Sequence, residues 1–79
     1  MNAAAAAVVE VLRSAGEPLH WTVVLDWILR QGLIDPFTTT DVRGLVQAAL
    51  HDGARAGTLT KAGKGVYAIA EPAGERGSG

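Results

Sequence analysis

The chain has 79 residues and a mass of 8.2 kDa, which is enough for one small domain and too little for a deep substrate cleft. It contains no cysteine, so disulfides, thiolate metal sites and cysteine nucleophiles are excluded. The net charge of −1 gives no overall basic field, but residues 38–70 carry four Lys or Arg against two Asp, a balance of +2. The positive charge is therefore concentrated in the second half of the chain.

The alanine-rich start of the chain predicts a first helix over residues 3–14. Asn2 can cap it, alanine is the best helix former, and Gly16 supplies a left-handed stop. The stretch lacks the positive start of a signal peptide, and no apolar run approaches the roughly 20 residues of a membrane span. The predicted apolar face comprises Ala4, Ala5, Val8, Val11, Leu12 and Ala15.

A short extended segment and a second helix follow. Pro18 keeps the residue before it out of the helical region, so residues 17–20 offer at most a two- or three-residue strand. A helix is predicted over residues 21–31, ended by Gly32. The apolar residues with helical spacing, which should face the core, are Trp21, Val24, Leu25, Ile28 and Leu29.

A third helix is predicted from a capping box that begins at Thr38 and includes Asp41. Phe37 would pack on Val42 as a hydrophobic staple, and the helix would run to about residue 56. Gly44 and Gly53 lie inside it at a cost of about 1 kcal/mol each relative to alanine. The predicted apolar face is Val42, Leu45, Val46, Ala49 and Leu50.

Two β-patterned runs, residues 58–61 and 66–70, flank a glycine-containing turn and predict a hairpin. Residues 1–70 then form one domain, and residues 71–79 form a disordered tail or linker. The fold class is mainly α with a small β wing. The order helix, strand, helix, helix, strand, strand is typical of a winged helix-turn-helix. The predicted core is Leu12, Trp21, Leu25, Ile28, Leu45, Val46, Ala49, Leu50, Leu59 and Ile69.

Three stretches of the chain match motifs of a known family. They are residues 7–20 (AVVEVLRSAGEPLH), 48–50 (AAL) and 63–69 (GKGVYAI). With these motifs the chain resembles the HARE-HTH family, winged helices found in chromatin proteins and restriction endonucleases, with a related domain in the delta subunit of Gram-positive RNA polymerase. The resemblance covers nearly all of residues 3–70. It implies a DNA-binding or transcription-linked adaptor, and it implies no catalysis.

The chain departs from the family pattern at both ends of the third helix. A Gly-Lys-Thr-Pro-like start is usual, and here residues 36–41 read PFTTTD. Relatives often end the helix with an aromatic and several basic residues, whereas residues 51–55 read HDGAR. Because basic charge is missing there, the DNA binding that the resemblance implies is expected to be weak.

The third helix carries a polar stripe at four-residue spacing: Arg43, Gln47, His51 and Arg55. In a helix-turn-helix such a stripe enters the major groove, where Arg reads guanine and Gln reads adenine. An ordinary solvated face is the alternative. Lys61 and Lys64 bracket the hairpin turn and could contact phosphates, or serve only solubility and edge protection.

Two further residues have competing interpretations. His20, beside Pro18 and Trp21, is interpreted as a packed or capping histidine rather than a ligand. Val23 and Trp27 are i, i+4 partners away from the main apolar face of their helix, which suggests a partner interface. The alternative is that this helix is buried on two sides.

The motifs of nucleotide-binding loops, zinc hydrolases and nucleophile–histidine enzymes are absent, so no enzyme, cofactor or metal is predicted. The predicted function is a DNA-binding recognition or adaptor module of a bacterial restriction, repair or transcription system. Its partner is double-stranded DNA, plain or base-modified, and its place is the cytoplasm, with the nucleoid. The alternative is a protein-interaction or dimerisation module that uses the Trp27 surface and contacts no nucleic acid. Neither a membrane nor a small-molecule substrate is expected.

Overall fold

The computed structural model describes residues 3–70, which form three helices and a three-stranded antiparallel sheet. This mainly helical composition with a small sheet was predicted, and it is compatible with a winged-helix layout. The predicted Asn2 cap and the predicted tail of residues 71–79 lie outside the described residues. In chain order the elements are α1 (Ala3–Ala15), β1 (Leu19–His20), α2 (Trp21–Gln31), α3 (Val42–Ala56), β2 (Leu59–Gly63) and β3 (Val66–Ile69).

Helix α2 is capped at both ends by its neighbours. The His20 Nδ1 accepts a hydrogen bond from the Thr22 backbone N–H at 3.2 Å and lies 2.8 Å from the Thr22 hydroxyl. At the other end Gly32 adopts a φ of +69°, and the Leu33 N–H donates to the Ile28 carbonyl at 3.0 Å. The capping interpretation of His20 is thereby confirmed.

Asp41, and not Thr38, caps helix α3, so the predicted capping box is wrong. The Asp41 Oδ1 accepts a hydrogen bond from the Gly44 N–H at 3.0 Å. The Thr38 hydroxyl instead donates to the Asp35 carbonyl at 3.4 Å. The helix begins three residues later than the capping box predicted.

The predicted hydrophobic staple is also absent, because Phe37 is 95% exposed. The Asp35 Oδ1 accepts a hydrogen bond from the Phe37 N–H at 2.9 Å, and the Asp35 carbonyl accepts one from the Thr39 N–H. Asp side chains commonly offer the backbone such turns as an alternative to helix. Residues 36–39 therefore form turns around Asp35, which keep Phe37 away from Val42.

The strands lie in the order β1-β3-β2. In the β1–β3 pair Leu19 is opposite Tyr67, and in the β2–β3 pair Leu59 is opposite Ile69. The register of β2 shifts between Lys61 and Gly63, so one residue bulges next to the turn. Strand β1 therefore joins the hairpin to the start of α2, although it is only two residues long.

One core lies between the three helices and the hairpin, and β2 approaches α3 very closely. A Cβ at Gly53 would lie 2.7 Å from the Leu59 Cδ1. The glycine inside α3 therefore makes room for Leu59, which accounts for its place in a helix. The buried residues are Ala4, Ala7, Val8, Val11, Leu12, Val24, Ile28, Ile34, Val46, Ala49, Leu50, Leu59 and Tyr67.

Two residues predicted to face the core are exposed instead: Leu45 at 42% and Leu29 at 40%. Each follows helical spacing but lies about 100° around its helix from a fully buried neighbour, Val46 or Ile28. The buried stripe of each helix is narrower than the apolar stripe of the sequence. Trp21, Leu25 and Ile69 are partly buried and pack against the core. No helix within residues 3–70 is long and apolar enough to cross a membrane.

Candidate nucleic-acid interface

A cleft of about 260 Å³ opens between α3, the start of α2 and the β2–β3 hairpin. Helix α3 supplies Gln47 and His51, which are four residues apart and therefore lie on one face. The hairpin supplies Lys61 from its bulged strand. The complete lining is Trp21, Gln47, Leu50, His51, Lys61, Gly65 and Tyr67. We call this feature the α3–hairpin cleft.

The hairpin turn is fixed against the start of α2 by a glycine. The Trp21 N–H donates to the Gly65 carbonyl at 2.8 Å, and Gly65 has a φ of +72°. A Cβ at this position would lie 2.9 Å from the His20 Nε2. Only glycine can adopt this positive φ and also leave room for the His20 ring without strain. The glycine thus lets the hairpin turn lie directly against the start of α2, where both line the cleft.

A cation lies at the edge of the cleft. The Arg43 guanidinium lies over the Trp21 ring, 5.1 Å from the ring centroid, a cation–π contact. Arg43 is exposed, so the contact directs the side chain toward Trp21 while its charge remains in solvent. This places one arginine beside the residues that line the cleft.

Two of the rings that line the cleft, those of His51 and Tyr67, lie close together. The His51 and Tyr67 ring centroids are 6.4 Å apart, with 51° between the ring planes. Tyr67 is buried and His51 is exposed, so the pair runs from the core to the surface. Together with Trp21, they give the cleft three aromatic side chains.

The structure brings together some of the predicted site residues and not others. Gln47, His51 and Lys61 line the cleft, with Arg43 at its edge. Lys64 is exposed in the hairpin turn, next to Gly65. Arg55 is exposed in the last turn of α3 and does not line the cleft. It lies about 120° around the helix from Arg43, since twelve residues make three and a third turns.

Sequence reasoning missed Trp21 and Tyr67 as members of the site. Trp21 has core spacing in α2, and Tyr67 reads as an ordinary strand residue. What brings them to the site is the pairing of β1 with β3. This pairing places Leu19 opposite Tyr67, and the Trp21 N–H then donates to the Gly65 carbonyl. A two-residue strand carries too little pattern to predict that pairing.

The carboxylates of the described residues lie away from the cleft lining. Asp41 caps α3, and Asp26 pairs with Arg30 at 2.8 Å on the exposed surface of α2. An exposed pair of this kind contributes little to stability. Within residues 3–70, no three His, Asp or Glu side chains are grouped as a metal site would need. The cleft is therefore polar, aromatic and cationic.

The other predicted surface, Val23 with Trp27, has mixed surroundings. Val23 is 39% exposed, whereas Trp27 is partly buried and packs against the core. Partial burial of Trp27 agrees with the alternative interpretation, in which α2 is buried on two sides. A partner interface at these two residues stays a prediction.

No protein-family model, no curated protein and no solved structure matches the chain.

Proposed function

We propose that the chain is a winged helix-turn-helix domain of HARE-HTH type that binds double-stranded DNA weakly. Helix α3 enters the major groove, and the β2–β3 hairpin is the wing that contacts the backbone. The order of the elements supports this assignment, because the hairpin follows α3 directly and packs against it. In this proposal the module acts inside bacteria, as a recognition or adaptor part of a restriction, repair or transcription system.

One observation carries the proposal: the polar stripe of α3 and the hairpin lysine meet at one cleft. Gln47, His51 and Lys61 line it together, and Arg43 lies at its edge. Arg and Gln are the side chains that read guanine and adenine in the major groove. A lysine on an adjoining hairpin suits the phosphate backbone, which positions a protein without reading sequence. If the polar stripe of α3 were only a solvated face, there would be no reason for its side chains to share a cleft with the hairpin lysine.

The low charge of the chain predicts weak binding. The net charge is −1, and three cations, Arg43, Lys61 and Lys64, lie on or beside the cleft. Affinity should therefore resemble that of non-specific binding, with a Kd on the order of 10⁻⁴–10⁻⁶ M at physiological salt.

Fluorescence anisotropy of a labelled duplex at several salt concentrations tests the proposal. Three phosphate contacts predict a log–log salt slope of about −2.7, or a loss of affinity of about 40-fold between 50 and 200 mM salt. A fourth contact from Arg55 would make the slope about −3.6. The Arg55→Ala variant separates these two values, because it changes the slope only if Arg55 reaches the backbone.

A double variant with a charge-matched control locates the contacts. Lys61→Ala with Lys64→Ala should reduce the slope by about 1.8. Arg13→Ala with Arg30→Ala removes the same charge from exposed positions on α1 and α2, and should leave the slope nearly unchanged. Equal effects of the two double variants, or no duplex binding at 50 mM salt with the protein near millimolar, would contradict the proposal.

A second candidate is a protein-interaction or dimerisation module, favoured by apolar side chains left in solvent. Phe37 is 95% exposed and Val23 is 39% exposed. Sedimentation of the free protein tests self-association. A concentration-dependent mass that Val23→Ser and Phe37→Ser abolish, together with no DNA binding, would favour this candidate.

A further inference from the structure

The walls of the α3–hairpin cleft suit a flat ring better than the edge of a base pair. Trp21 and His51 contribute rings that reach solvent, and the buried Tyr67 supports His51, with the two ring centroids 6.4 Å apart. The volume of about 260 Å³ lies just below the range of about 300–1,000 Å³ typical of pockets for drug-sized ligands. A single nucleobase is a ligand of the appropriate size.

The polar groups of the cleft suit a nucleotide. The Gln47 side-chain amide has an NH2 group that donates hydrogen bonds and a carbonyl oxygen that accepts them, as the hydrogen-bonding edge of a base requires. Lys61 lines the same cleft, and Arg43 lies at its edge over Trp21, so cations are available for the phosphate. Among the described residues that line the cleft none is acidic, which favours an anionic ligand over a cationic one.

A base within a duplex can present only its edge to this cleft, so it can reach the Gln47 amide but not stack on the rings. Its two faces are stacked on neighbouring bases, so only its edges reach a protein in the groove. Aromatic side chains bind bases that have left the stack, as in single-strand binding and base flipping. The Trp21 and His51 rings therefore point to a base that is unpaired.

We propose that the α3–hairpin cleft binds an unpaired nucleobase of DNA, at a single-stranded overhang that adjoins the duplex. This inference rests on the proposed function, because it keeps the duplex on the exposed cations of α3 and the hairpin and places the first unpaired base against the rings of the cleft. The preferred substrate is then a duplex with a single-stranded end rather than an uninterrupted duplex.

Three labelled DNA molecules test the proposal by anisotropy at 50 mM salt. They share one duplex and differ in the end: blunt, a three-nucleotide overhang, or an overhang of three abasic nucleotides. The abasic overhang keeps the phosphates and removes the bases, so it separates stacking from charge. Base–aromatic stacking predicts binding of the normal overhang about 5- to 150-fold tighter than binding of the abasic overhang.

Two matched variants locate the effect. His51 is exposed, so His51→Ala should fold normally and lose most of the preference for the normal overhang. Gln31→Ala, at an exposed helical position outside the cleft, should keep the preference. Loss of the preference in both variants would contradict a role for the cleft.

The outcomes separate this inference from the proposed function. Equal binding of all three DNA molecules contradicts the unpaired-base site and leaves duplex binding intact. Equal binding of the two overhangs, both tighter than the blunt duplex, shows that charge alone acts and also contradicts it. Tight binding of the normal overhang without binding of the blunt duplex supports the site and contradicts duplex recognition. No binding of any of the three contradicts both.

Discussion

Helix α2 carries two tryptophans, one at its start and one in its second half, and the two rings have different surroundings. Trp21, at the start of the helix, lines the α3–hairpin cleft, lies under the Arg43 guanidinium and donates its backbone N–H to Gly65. Trp27, in the second half of the helix, packs against the core without lining that cleft. Helix α2 ends at Gln31, and the loop that follows it exposes Phe37.

Relative to the buried residue Val24, helical spacing places these two tryptophans symmetrically. One lies three residues before the fully buried Val24 and the other three residues after it. They therefore lie about 60° to either side of Val24 around the helix axis. What separates them is the hairpin, which reaches Trp21 through the pairing of β1 with β3. The spacing of apolar residues therefore identifies the buried centre of a helix. Whether a residue beside that centre lines a cleft or packs against the core depends on segments that are distant in the sequence.

The largest expected effect is at the buried centre of α2. Ile28 is fully buried, so Ile28→Ala should lower the free energy of unfolding by about 2–5 kcal/mol. For a domain of this size such a loss unfolds much of the population. Leu29→Ala is the control, because Leu29 is 40% exposed, and it should cost less than about 1 kcal/mol. Urea unfolding measures both, and equal losses would mean that α2 is rotated from the orientation described here.

A smaller effect is expected at the cleft end of α2. Gly65→Ala places a side chain at a φ of +72° and brings its Cβ to 2.9 Å from the His20 ring. The backbone strain alone should cost about 1–2 kcal/mol. Gly63→Ala is the control, because a Cβ there would meet only Val66 at an ordinary 3.8 Å. If thermal unfolding shows the same change for both variants, the glycine does not hold the hairpin against α2.

The start of α3 distinguishes the observed cap from the one that the sequence suggested. Asp41→Ala removes the acceptor for the Gly44 N–H and should cost about 0.5–2 kcal/mol. Thr38→Ala should stay within about 0.5 kcal/mol of the wild type, since Thr38 lies outside the helix. Chemical denaturation measures the free energy of unfolding of both variants. A larger loss for Thr38→Ala than for Asp41→Ala would show that Thr38 caps the helix in solution.

The smallest effect is expected in the loop beyond the far end of α2. Phe37 is 95% exposed, so Phe37→Ser should change the free energy of unfolding by no more than about 0.5 kcal/mol. The duplex affinity should also stay at the wild-type value, because Phe37 does not line the cleft. A stability loss above about 1 kcal/mol would show that Phe37 packs against the fold in solution.

Spacing and composition predicted those parts of the fold that depend on near neighbours in the chain. The three helices, the hairpin and the His20 cap are of this kind, because their signals lie within a few residues. The start of α3 was mispredicted because Asp35 accepts a hydrogen bond from the Phe37 N–H in a turn and Asp41 caps the helix at the Gly44 N–H. Asp and Thr both favour caps and turns, and single-residue preferences do not rank them.

The candidate site was predictable in part for the same reason. Gln47 and His51 share a face at helical spacing, which the sequence shows directly. Trp21 and Tyr67 join them only through long-range strand pairing, for which two-residue β1 carries no period. Leu45 and Leu29 follow the apolar pattern, yet they are exposed because no other element within residues 3–70 covers those sides of their helices.

The two indole N–H signals in a ¹H–¹⁵N NMR titration with duplex DNA test the central claim most directly. They report on the start and the second half of α2 in one spectrum, and each is assigned by its Trp→Phe variant. We expect the Trp21 signal to shift progressively with added duplex, together with the backbone amides of Gln47, His51 and Gly65, while the Trp27 signal stays in place. A shift of Trp27 without Trp21, or no shift of either near millimolar protein at 50 mM salt, would contradict the assignment of the α3–hairpin cleft as the DNA-binding site.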